Sequence, residues 1–223
     1  MARLCTPMKV QTSLLAATAL LLAASLVRAP YPREQWLQHA PTVAAMAGLA
    51  WAARRRWMAD RAFACVVAML GLHIAGARWI YSYVPYEQFC DALVGSGPHE
   101  WFAWKRNHYD RLVHFAYGAL ATGPIAEALH RHARQSWPWA LLSAIGAVAA
   151  ASALYEIFEW LLSVIAAPEF AEHYNGQQGD AWDAQKDMAL AIAASLAAAA
   201  WLARRGPPRS ALPPAPTPRS ATA

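Results

Sequence analysis

Apolar residues gather along this chain into six stretches, roughly Gln11 to Val27, Leu37 to Ala53, Ala62 to Val84, Leu112 to Leu129, Trp137 to Ala166 and Asp187 to Ala203. A helix that crosses a bilayer needs about 20 largely apolar residues, so the pattern predicts an all-α, polytopic membrane protein with about six transmembrane helices. The second stretch is the weakest, being short and carrying Pro41 near its start. Asn175, Gly176 and Gly179 mark a turn-rich connection ahead of the last stretch. Residues 1–205 therefore read as one transmembrane domain. From Gly206 onward, six prolines without apolar periodicity predict a disordered Pro/Ala-rich tail over 206–223.

Charge orients the spans. With both termini in the cytoplasm, the inner segments hold twelve basic residues, among them Arg54, Arg55, Arg56, Arg131, Arg134, Arg204 and Arg205, against six in the outer segments. That asymmetry obeys the positive-inside rule. Trp51, Trp57, Trp137, Trp139 and Trp201 then fall at the inner boundary, and Tyr31, Trp36, Tyr83, Tyr86, Trp101 and Trp104 at the outer one, as interfacial anchors do. The first stretch has a second reading as a secretory signal ending at Val27-Arg28-Ala29, which Pro30 directly after the cut disfavours. Both readings leave the later spans in the same orientation.

Composition agrees with the pattern. A chain of 223 residues that is 57% hydrophobic and 15% charged, with mean hydropathy above zero, is not an ordinary soluble domain. Cys5, Cys65 and Cys90 form no CxxC pair, which excludes zinc-ribbon and thioredoxin-type sites, and the glycines build no nucleotide loop. The net charge of +5 sits in short clusters between apolar runs, so it reports topology and not a nucleic-acid partner.

The candidate chemistry lies where ionisable residues interrupt the spans, because lipid cannot solvate them. Glu156 is 19 residues beyond Trp137, or about 28 Å along a helix, so Glu156 and Glu159 approach the outer boundary. Asp110 opens the fourth span from the outside with His114 one turn deeper, and Asp187 opens the sixth with Asp183 one turn before it. Asp110, His114 and Tyr117 share a helix face; so do Ser152, Tyr155, Glu156, Glu159 and Ser163, and so do Asp180, Asp183 and Asp187 if that helix starts early. Arg78, in the outer half of the third span, is expected to neutralise part of this acidic cluster. Glu127 reads as an interfacial charge, His73 as a packed or hydrogen-bonded histidine, and His99 and His108 as solvated loop residues. Asp180 reads as a helix cap adjoining the cluster.

The run Arg106-Asn107-His108-Tyr109-Asp110-Arg111, then His114-Phe115, Tyr155-Glu156, Glu159-Trp160 and the stretch from Gly179 to Met188, resembles the YjdF-like inner-membrane proteins and, more distantly, the VanZ-like membrane proteins associated with glycopeptide resistance. The resemblance extends from about His73 to Ala200. It implies a multi-pass protein of the bacterial inner (cytoplasmic) membrane with a shared polar site, and it implies no reaction.

Carboxylates with one imidazole suit a hard or borderline divalent cation such as Mg²⁺, Mn²⁺ or Zn²⁺. The expected ligands are Asp110, His114, Glu156, Glu159, Asp183 and Asp187, with Arg78, Asn107, Tyr155 and Asp180 around them. The alternative is a network of interhelical hydrogen bonds that only fixes packing. Three function classes follow: an enzyme acting on an envelope lipid or lipid-linked molecule, a cation- or ligand-binding protein or permease, and a structural envelope component. The inner halves of spans four to six are mainly Ala, Leu, Ile and Gly, which weakens a transport path. Membrane lipids are the expected partners.

Overall fold

A computed structural model describes residues 6–165 and 178–208. The described residues form eight helices and no strand: α1 (Thr6–Leu26), α2 (Pro32–Arg55), α3 (Asp60–Arg78), α4 (Tyr86–Val94), α5 (Pro98–Phe102), α6 (Tyr109–His132), α7 (Trp137–Ile165) and α8 (Asp183–Arg205). Asn175, Gly176 and the tail from 209 lie outside them. By length and composition α3, α7 and α8 are able to cross a membrane, while the apolar part of α1, Val10–Leu26, is shorter. α2 and α6 break their apolar runs with residues that turn inward, including Gln35, Gln38 and His39 on α2 and Asp110 and His114 on α6.

Each helix boundary has a local cause. α2 begins on Pro32, whose missing N–H falls among the unpaired first-turn donors, and continues through Pro41. It ends at Arg56, which adopts a left-handed conformation (φ 51°), with Arg54 and Arg55 facing the negative end of the helix dipole. The third helix is shorter than the apolar run, which continues to Val84. Ile80 and Tyr81 take positive φ (43° and 57°), the Tyr81 N–H bonds the Gly76 carbonyl at 2.8 Å, and the chain folds back on α3. A Cβ on Gly76 would meet the Tyr81 ring at 2.8 Å, so glycine is what lets the ring lie there. The connection that follows holds α4 and α5, neither of them evident in the apolar pattern. α4 closes on Gly95 at φ 79°.

α6 is the hub, packing on α8, α7 and α3, while α1 and α2 pack on α3. α6 and α8 meet closely because the residues between them are small: Gly118 faces the Ala191 backbone and Ala194, and Thr122 Oγ1 shares a 2.6 Å hydrogen bond with Ser195 Oγ. Beyond them Ala126, Ala140, Leu141, Ala144 and Ala199 close that end of the bundle against Trp137. A second apolar cluster, Leu49, Ala53, Phe63 and Leu70, ties α2 to α3. The exterior carries large apolar side chains, among them Leu20, Trp139, Leu154, Trp160, Val164 and Trp201, the reverse of a water-soluble bundle.

Glu127, expected as an interfacial charge, is engaged by protein groups near the end of α6 expected to lie inside. It is buried, its Oε1 accepts the Ala59 N–H at 2.9 Å, where α3 begins, and Arg131 Nη1 donates to the same oxygen at 2.7 Å. An orphan amide at a helix start attracts a carboxylate. Arg78 departs from its expected pairing: its Nη1 donates to the carbonyls of Ser25 and Val27 at the end of α1. Unpaired carbonyls at a helix C-terminus bind a guanidinium well, and they engage Arg78 in place of the acidic cluster.

Candidate functional site

The polar site forms at the end of the bundle where α6 and α8 begin and α7 nears its end. Asp110, His114, Glu156, Glu159, Asp183 and Asp187 are all buried there. Helical spacing does the positioning: Asp110 and His114 lie one turn apart on α6, Glu156 and Glu159 on α7, Asp183 and Asp187 on α8. Ligand atoms of Asp110, His114 and Asp187 lie within 4.8 Å of one another. His114 Nε2 is 3.7 Å from Asp110 Oδ1 and 3.5 Å from Glu156 Oε1. Glu159 lies one turn further along α7 and hydrogen-bonds Tyr155. Ser163, at the end of the same stripe, is exposed and donates to the Glu159 carbonyl at 3.1 Å.

Asp183 has different company. Arg106 holds it through two contacts, Nη1 to Oδ1 at 2.6 Å and Nη2 to Oδ2 at 3.2 Å, and Arg111 Nη2 reaches Oδ1 at 3.2 Å. Asp180 joins this group through Arg111, Lys186 (2.6 Å) and Arg106 (3.6 Å). The Lys186 ammonium, the Trp182 N–H and Arg111 hold the Asp180 carboxyl well below the usual carboxylate range. Asp180 thus fixes the approach to α8, accepting the Trp182 N–H at 3.1 Å, while the N-cap position itself is Trp182. Burial, with Arg111 and Arg106, lowers the pKa of half-buried His108, whose ring packs tilted against Trp104 with centroids 4.3 Å apart instead of standing free in solvent.

Asn107 works as a staple. Its Nδ2 donates to Val84, its Oδ1 accepts from the Tyr109 N–H, and its backbone exchanges two hydrogen bonds with the Gln178 side chain. One residue therefore joins the chain after α3, the start of α6 and the approach to α8. His73 is hydrogen-bonded on both sides: Nε2–H donates to the Gln38 carbonyl at 3.0 Å, and Nδ1 accepts from the Tyr81 hydroxyl.

Two cavities flank the cluster. One, of about 270 Å³ among α3, α6 and α7, is bordered by Asp110, His114, Ser152 and three tyrosines. The other, of about 400 Å³ between α7 and α8, is bordered by Glu156, Glu159, Asp180 and Asp183. Several polar atoms have no hydrogen-bond partner among the described residues: Asp187 Oδ1, Glu156 Oε1, Ser152 Oγ and Arg111 Nε. A buried carboxylate oxygen left so is costly unless a cation or a proton meets it. Asp110, His114 and Asp187 supply two carboxylates and an imidazole, a donor set for a divalent cation.

Sequence reasoning missed the Arg106 and Arg111 ion pairs and a second polar network on α2. There Gln35 Nε2 donates to the Ser25 carbonyl at 3.0 Å, and His39 lies 3.1 Å from Gln35 Nε2 and 3.3 Å from Ser25 Oγ. Its signal was present, since Gln35, Gln38, His39 and Thr42 follow the spacing of one helix face.

A family model described as Predicted membrane protein (DUF2238) matches residues 10–207. Over 207 residues the chain is 30% identical to Inner membrane protein YjdF of Escherichia coli (strain K12), covering 92% of this chain and 93% of that one. No solved structure matches.

Proposed function

The chain belongs to the DUF2238 family of predicted membrane proteins, and from that premise we propose that it crosses the inner membrane six times, with both termini in the cytoplasm, and holds a divalent cation at an outer-facing site that engages the headgroup of an envelope lipid or lipid-linked molecule. The six long helices and the basic residues at one end of them support the topology. So do exposed Trp51, Trp139 and Trp201 at the proposed inner boundary, and exposed Phe89, Leu93 and Trp101 on α4 and α5 at the outer one.

One observation carries the cation: Asp187 is 1% exposed, its Oδ1 lacks a hydrogen-bond partner among the described residues, and it faces Asp110 and His114 within 4.8 Å. Two like unit charges about 4 Å apart repel by about 4 kcal/mol even at an effective dielectric constant of about 20. That is a large fraction of the stability of a typical domain, about 5–15 kcal/mol. A divalent cation removes the repulsion and leaves Glu156 beside the site as a base for an activated water. A permease reading has less support, because small side chains and the Thr122–Ser195 pair close the bundle at its other end.

Metal analysis of the purified protein tests the site. It should retain near-stoichiometric divalent metal, chelation should lower its melting temperature, and His114→Ala or Asp187→Asn should lower metal content and remove the response to chelator. Wild-type protein that purifies metal-free, takes up none on addition and melts unchanged in chelator would sink the cation reading.

A further inference from the structure

The cavity among α3, α6 and α7 differs in chemistry from the acidic cluster it adjoins. Among the described residues its one carboxylate is Asp110. Its second acceptor is Ser152 Oγ, on a residue 2% exposed and without a hydrogen-bond partner among the described residues. Tyr81, Tyr117 and Tyr155 border the space, and among the described residues no lysine or arginine does. His73, also at its edge, has both ring nitrogens engaged.

Three kinds of ligand are separable on these grounds. Without the metal, an anion would face the Asp110 carboxylate with no lysine or arginine among the described lining residues to offset it. An apolar group filling the cavity would displace water and leave Ser152 Oγ without a partner. A small cation satisfies both acceptors and gains from the aromatic rings around it. The hydroxyl and the carboxylate narrow the organic cations further, because one that bears N–H donors can hydrogen-bond both and a quaternary ammonium cannot. A volume of about 270 Å³ falls just below the usual range of ligand sites, about 300–1,000 Å³, and suits a short aminoalkyl group.

We propose that this cavity binds a primary ammonium group, with Asp110 and Ser152 accepting its N–H donors and the tyrosine rings covering its methylene carbons. An amphiphile is the favoured carrier. Tyr155 is 37% exposed and stands among Leu154 and Phe158, both exposed on the apolar exterior of α7. The assignment names the headgroup for the lipid reading above and rests on that reading for the carrier; the ammonium site does not require the metal, and because both cations use Asp110 its binding should be at least as strong with chelator as without.

The experiment uses the full chain, with and without chelator, in nanodiscs of phosphatidylethanolamine or of phosphatidylglycerol, and in detergent with free ethanolamine or choline. Retained lipid is counted by native mass spectrometry, melting is followed in parallel, and metal content is measured in each sample. The expected result is retention of phosphatidylethanolamine over phosphatidylglycerol, displacement by ethanolamine and not by choline, and binding about tenfold weaker in Ser152→Ala, the loss expected for one hydrogen bond to a charged group. Ser152→Ala is nearly isosteric, and an unchanged melting temperature without ligand shows that it folds. Ethanolamine that raises the melting temperature without lipid retention supports the ammonium site and overturns the lipid as its carrier. Equal response to choline and ethanolamine, or none to either, overturns the ammonium site, while the metal content of the same samples reports separately on the cation.

Discussion

Glu127 shows how a charge inside a mostly apolar bundle earns its place. Its Oε1 receives both the Ala59 N–H and Arg131 Nη1, so the carboxylate stabilises the start of α3 and neutralises a neighbour on its own helix. Truncation to Ala leaves a helix-start amide and a largely buried guanidinium unpaired, each costing about 1–3 kcal/mol. Glu127→Ala should therefore lower the melting temperature of the detergent-solubilised protein by several degrees. Glu127→Gln, which keeps an acceptor oxygen for the amide, should recover part of the loss. Equal melting of Glu127→Ala and wild type would show that the cap contributes nothing. Residue type alone did not reveal this role, because the partner amide at Ala59 is 68 positions away.

Among elements, the contact of α6 with α8 decides whether the site exists. Gly118 lies one turn after His114, and Ala191 one turn after Asp187, and these two positions touch where the helices cross. A Cβ at Gly118 would run into the Ala191 carbonyl, which belongs to a helix backbone and has nowhere to go. Gly118→Leu should push the helices apart, separate His114 from Asp187 and abolish metal retention together with a large loss in melting temperature. Gly146→Leu on α7 is the control, since nothing lies within 4 Å of its added Cβ, and it should leave both readouts unchanged. Metal retention by Gly118→Leu equal to wild type would show that the cluster does not depend on this crossing. The turn after α3 works in a similar way: Gly76 admits the Tyr81 ring, which then borders the cavity and bonds His73.

For the molecule as a whole, the asymmetry of basic residues carries a directional prediction. Reporter fusions after Arg56, Arg134 and Arg205 should read cytoplasm, and a fusion after Ser96 should read the opposite side; a cytoplasmic Ser96 would place the acidic site on the wrong face for an envelope substrate. The sequence by itself determined the helical class, the approximate extent of α1, α6, α7 and α8, and the three helix faces that bear Asp110 and His114, Glu156 and Glu159, and Asp183 and Asp187. Each of these follows from local periodicity, a property of neighbours in the chain. It also held the polar face of α2 in its spacing. Only the tertiary structure decided which charges meet. Arg78 turned to the end of α1, Arg106 and Arg111 from the loop before α6 and its first turn engaged Asp183 and Asp180, and Asp187 alone of the α8 acids remained without a partner for one oxygen. Pairing of this kind depends on which helices touch and at what depth, and for residues about 70 positions apart it is set by small residues at a crossing and by turns between helices, neither of which a hydrophobic pattern records.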